Sequence, residues 1–64
     1  MDTFMLLLPF SLDMSELKAA IALLNETFGD IKRGWINLGF LYRVDAKEDT
    51  VKSFCEATGA MIWE

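Results

Sequence analysis

The side chains able to carry covalent or acid–base chemistry in these 64 residues are few. There is one thiol, Cys55, there are ten carboxylates, and there is no histidine. Without an imidazole the chain has no base that titrates unperturbed near neutral pH. It also has no nucleophile elbow and no glycine-rich phosphate loop, and no pair of carboxylates is singled out by spacing for general acid–base work. Cys55 falls on the inward stripe of a helical pattern, where a thiol is ordinarily inert. The expectation is a protein that is not an enzyme. A zinc site would need carboxylates and one thiol, a donor set the metal does not favour, so no metal and no small-molecule cofactor is expected. One cysteine excludes an intrachain disulfide and fits a reducing compartment, the cytoplasm or another intracellular one.

The residues suited to binding are easier to name. Trp35 and Trp63 are of the type enriched at interface hot spots, and an indole can also stack a nucleobase. Lys32 and Arg33 are the only adjacent cations, with Arg43 a third charge that could share a small phosphate patch. Edge protection of a strand explains the pair equally well. Ten acids against six bases leave a net charge of −4, which opposes nonspecific binding to phosphate backbones. Acids at 45, 48 and 49 could imitate a phosphate run. Helix N-termini attract acids in any protein, however, and capping is the better account.

The elements that must position these groups follow from periodicity. From Gly39 to Val44 the chain alternates: Phe40, Tyr42 and Val44 point one way, Gly39, Leu41 and Arg43 the other. The large apolar face should pack on helices. Thr3 to Leu8 is a near-continuous apolar run closed by Pro9, which suits a central strand. That run is too short to span a bilayer, and Asp2 stands where a signal peptide carries positive charge, so it is read as part of the fold and no membrane partner is expected. Asp13-Met14-Ser15-Glu16 reads as a capping box, and Met14, Leu17, Ile21, Leu24 and Phe28 follow at helical spacing, with Gly29 as a left-handed stop. Leu23 lies off that stripe. Asp30 to Ile36 reads as an edge strand, and Ile36 to Gly39 as a tight turn in which Gly39 tolerates positive φ. Asp45 to Glu48 offers a second capping box, with Asp49 competing. Val51, Phe54 and Cys55 then face inward, Gly59 stops the helix, and Ala60 to Glu64 forms a short last strand.

The order predicts a single α+β domain over residues 1–64, a two-layer ferredoxin-like β-α-β-β-α-β sandwich. The alternative is a three-stranded β-α-β-α-β sheet with residues 35–44 as one long strand. A chain this short buries only about 60% of its unfolded surface. With 53% hydrophobic residues, some apolar surface should be left for a partner.

Leu8-Pro9-Phe10-Ser11, the acidic helix start at Asp13 to Glu16, and Phe28-Gly29-Asp30-Ile31 resemble the first strand, first helix and following turn of the RNA recognition motif. Val44-Asp45-Ala46-Lys47-Glu48-Asp49-Thr50 resembles its passage from third strand to second helix. The resemblance implies this same topology and a binding surface on the open sheet face. Members of the family stack bases on rings of the two central strands. Alignment on Asp49 puts Gly39 and Leu41 at two of those positions, leaving only Phe4 as a matching ring.

Six residues are therefore expected at a partner-binding surface: Phe4, Leu6, Trp35, Leu41, Arg43 and Trp63. Phe4, Leu6, Leu41 and Arg43 are assigned to the open face and the tryptophans to edge strands. The function expected is protein–protein contact, whether self-association into a homodimer, an adaptor role or inhibition of a larger partner. The alternative is single-stranded RNA binding through Phe4, Trp35 and Arg43, and an acidic nucleic-acid mimic is a minor one.

Overall fold

A computed structural model describes residues 2–63. Strand β1 (Asp2–Pro9) leads to helix α1 (Met14–Thr27), strands β2 (Ile31–Ile36) and β3 (Gly39–Ala46), helix α2 (Glu48–Thr58) and the short strand β4 (Met61–Ile62). The four strands form one antiparallel sheet in the order β2-β3-β1-β4. The fold is α+β. The chain reverses at Asn37 and Leu38, so residues 35–44 are two strands and the three-stranded alternative is excluded.

β1 and β3 are central, as their apolar runs require. Their register sets Leu6 opposite Tyr42 and Leu7 opposite Leu41. Both helices lie on the side to which the even-numbered residues of these strands point. There Leu6, Leu8, Tyr42, Val44 and Ala46 pack with Ala20, Leu24 and Phe28, and with Val51 and Phe54 of α2. The rings of Phe28 and Phe54 meet edge-on, 5.4 Å apart, an arrangement aromatic quadrupoles favour.

α1 starts where Asp13 caps it: the Glu16 backbone N–H donates to the Asp13 carboxylate at 2.9 Å, satisfying one orphan first-turn donor. The stripe carries Leu24 and Phe28 into the core, but Met14 is 65% exposed. It sits in the first turn, beyond the reach of the sheet. Gly29 is not the expected left-handed stop. The cap is Phe28, extended at φ −116°, with its N–H donating to the Leu24 carbonyl. α2 begins at Lys47 without a side-chain cap. The expected box fails because Asp45 is still in β3, where it accepts a hydrogen bond from the Thr3 hydroxyl. Gly59 does end α2 in the left-handed region, at φ 82°.

Gly39 takes no positive φ; its constraint is a close approach. A Cβ there would collide with the Leu8 carbonyl and sit 2.8 Å from the Pro9 Cα, so the β1–β3 pairing at this end requires glycine.

Candidate sheet-face interface

The odd-numbered residues of the central strands point away from the helices. Thr3, Met5 and Leu7 from β1 share that face with Leu41, Arg43 and Asp45 from β3. Met61 lies opposite Leu7. One step on, the Trp63 N–H donates to the Met5 carbonyl at 2.8 Å, so pairing with β1 continues past β4. Lys32 and Gly34 join from β2, opposite Arg43 and Leu41. The result is an apolar strip, Met5, Leu7, Leu41, Met61 and Trp63, with cations toward the β2 edge and no helix over it.

A shallow groove of about 350 Å³ crosses the β2 side of this face. Met5, Gly34 and Leu41 form its floor and Lys32 and Arg43 its charged border, while Arg33 and Trp35, opposite the inward-facing Tyr42 and Phe40, adjoin it only from the strand edge. Gly34 leaves the groove open, because nothing lies within 4 Å of where its Cβ would stand. Lys32 and Arg43 sit directly opposite one another on neighbouring strands, an unfavourable like-charge pair. Among the described residues the one ion pair is Lys52 with Glu48 on α2, so neither groove cation is neutralised that way. Asp45, the acid two positions along from Arg43, is bonded to Thr3.

Of the six residues expected at a binding surface, Leu41 and Arg43 meet in this groove, Trp63 lies across the same face beside Met5, and Trp35 stands at the β2 edge on the alternate set of residues, opposite Phe40. Phe4 and Leu6 are corrections. Their register partners Val44 and Tyr42 are buried, Leu6 belongs to the core, and Phe4 packs against it. Since Phe4 points inward, neither central strand presents an aromatic ring to the open face. Met5, Leu7, Gly34 and Met61 were not anticipated. Leu7 is only 1% exposed although no helix covers it.

Among the described residues Trp35 is the most exposed of the large apolar ones, at 76%. It stands opposite Phe40, whose ring meets Phe10 edge-on at 5.2 Å, and the Phe10 N–H donates to the Leu38 carbonyl. Phe10 and Leu38 are exposed as well, so the apolar surface continues from the groove rim over this end of the molecule. Leu23 is half-buried against the core, between the two helices.

The titratable groups add no reactive centre to this face. Burial raises the Cys55 thiol above its ordinary pKa, away from the thiolate form that nucleophilic chemistry uses. Burial likewise raises the Tyr42 hydroxyl, opposed by the positive charge of Arg33. Among the described residues, no three His, Cys, Asp or Glu side chains converge as metal ligands, and no helix is long and apolar enough to cross a membrane.

Comparison with known proteins found no match to the chain among family models, curated proteins or solved structures. The functional reading therefore rests on the geometry of this face.

Proposed function

We propose that the protein is a small non-enzymatic binding module that contacts another protein through its open sheet face. The observation that carries this is the placement of Met5, Leu41, Met61 and Trp63 on the side of the sheet that no helix covers. Burying apolar surface yields about 25 cal/mol per Å², and contiguous exposed apolar area beyond a few hundred Å² marks interaction sites. Leu41 and Trp63 act as anchors, and Arg43 orients the partner. The sheet order supports the ferredoxin-like plan, and with it a distant likeness to the RNA recognition motif turned to protein contact. A lone, half-buried thiol suits an intracellular reducing compartment.

Single-stranded RNA is the second reading, favoured by the nearness of Trp35 to Lys32, Arg33 and Arg43. Against it stand the ring-free open face of the central strands and the net charge of −4. The mimic reading is weaker still, since Asp45 is bonded to Thr3 and Glu48 pairs with Lys52.

Light scattering across a concentration series, with cross-linked pull-downs and a labelled mixed RNA titrated in the same samples, tests this function. The wild-type chain should form a dimer or retain a partner, and Leu41→Asp should abolish that association while circular dichroism keeps its helical signal. Association that survives Leu41→Asp would remove the open face from the function. An RNA complex whose affinity falls steeply with salt would replace it with the second reading.

A further inference from the structure

β2 contains a residue that the fold does not require. Gly34 sits mid-strand in a ladder whose register runs unbroken from Ile31 to Ile36, so it makes no bulge. Its φ is not positive, and a Cβ would touch nothing. Glycine weakens a strand interior, and where bulge and bend are absent it marks a close approach by a ligand or another backbone. Gly39 has its neighbour within the fold; Gly34 has none. What the missing side chain leaves is the groove beside Leu41 on the open face.

We propose that this groove docks a short extended segment of a partner protein in which an aliphatic or aromatic side chain stands next to carboxylates. The inference rests on the sheet-face reading above and specifies its occupant. The apolar side chain would lie over Gly34 against Met5 and Leu41. The carboxylates would sit between Lys32 and Arg43, whose mutual repulsion an anion relieves. β2 is the outermost strand on its side, so an extended segment reaches the groove without displacing any part of the sheet. The floor, Met5 and Leu41, carries no ring, which suits a side chain better than a stack of bases. Two opposed cations on a protein of net charge −4 suit one or two carboxylates better than a long polyanion.

The test is selection of dodecapeptides from a random displayed library on the immobilised chain, followed by anisotropy with fluorescein-labelled synthetic copies. Enrichment of Asp or Glu beside Leu, Phe or Trp is expected. Gly34→Val should weaken the selected peptides about tenfold, because it fills the groove where they anchor. It should melt no lower than the wild type, since the added Cβ has nothing within 4 Å and valine favours strands. Lys32→Gln and Arg43→Gln should each weaken binding about three- to tenfold and reduce its salt dependence. No enrichment, or enrichment of basic or neutral peptides, overturns the proposal. So does wild-type binding by Gly34→Val; if Leu41→Asp and Met61→Asp then abolish it, the sheet-face function stands and only the groove assignment fails. If all these variants bind as the wild type does, both readings fall. A concentration-dependent dimer that Gly34→Val dissociates would make the occupant a second copy. A labelled RNA that competes with the peptides and loses affinity in Gly34→Val would make it a nucleic acid. Either result overturns the peptide.

Discussion

Leu6 and Leu41 lie one residue out of register across the β1–β3 ladder, and mutating them separates the packed face of the sheet from the free one. Leu6 is 0% exposed, in a core that also holds Leu8, Leu24, Phe28, Val51 and Phe54. Truncating such a leucine to alanine removes its transfer free energy and leaves a cavity, together about 2–5 kcal/mol. A 64-residue chain at roughly 0.05–0.15 kcal/mol per residue has about 3–10 kcal/mol in total. Leu6→Ala should therefore lose about a fifth of the stability or more and lower the melting temperature by at least about 8 °C. Leu41 is half-exposed and faces no helix, so Leu41→Ala should cost less than about 1.5 kcal/mol. Urea denaturation followed by circular dichroism, with one slope for both variants, measures the difference. A Leu6→Ala midpoint at or above that of Leu41→Ala would mean that the faces of β1 are exchanged, and the interface would have to be rebuilt around Phe4 and Leu6.

Gly39→Ala should destabilise the chain by about 1–3 kcal/mol or more in the same urea experiment, because its Cβ meets β1 backbone that cannot rotate away; a neutral result would refute the close approach. Asp13→Ala should cost about 1 kcal/mol through loss of the first-turn cap, and Asp13→Asn, which can still accept the Glu16 N–H, should recover most of it. Alkaline titration should show stability falling from about pH 9–10 upward. The sign follows from burial, which raises both Cys55 and Tyr42. Their contribution is complete below the unfolded-state values, and it is lost as pH climbs through the higher folded values. Cys55→Ala should delay the onset, whereas a profile that strengthens with rising pH would contradict the burial of both groups.

The parts of the fold legible in sequence are those whose signal is local. The alternation from Gly39 to Ala46 fixes the inward side of β3, since Arg43 and Asp45 cannot share a core with Tyr42 and Val44. Asp13 and the stripe through Leu24 and Phe28 place α1, and Gly59 stops α2. The faces of β1 are a different matter. Phe4 to Leu8 is apolar at every position, so no alternation marks which side meets the helices, and the choice is made by pairing with residues more than thirty positions away. The polar residues at the start of β1 give opposite cues: Thr3 would put Met5 and Leu7 toward solvent, and Asp2 would put Phe4 and Leu6 there. Only the register with β3 decides between them. The glycines misled for a related reason. Gly29 and Gly39 read as sites of positive φ, but Gly39 answers to a backbone across the sheet and Gly34 to open space, and neither is visible without the register.

The apolar residues outside the core decide what the chain's composition means. Leu6, Leu8, Leu24, Phe28, Val44, Val51 and Phe54 close the interior between sheet and helices. Met61, Trp63, Trp35, Phe10 and Leu38 contribute little to that interior and stand exposed. In an isolated domain polar residues at these positions would leave the core intact and keep the surface more soluble. Leu7 makes the distinction sharper. Its register neighbours Leu41 and Met61 stand on either side of it and it is almost inaccessible, so the central strands are shielded while the residues around them remain available. A partner on this face would meet a preformed surface, with little side-chain ordering to offset the burial. Occupancy would also raise the stability of the fold, by about 2.7 kcal/mol at a partner concentration one hundred times its Kd. For a chain whose total is about 3–10 kcal/mol, that is a substantial share, so binding and folding in so small a domain are parts of one equilibrium.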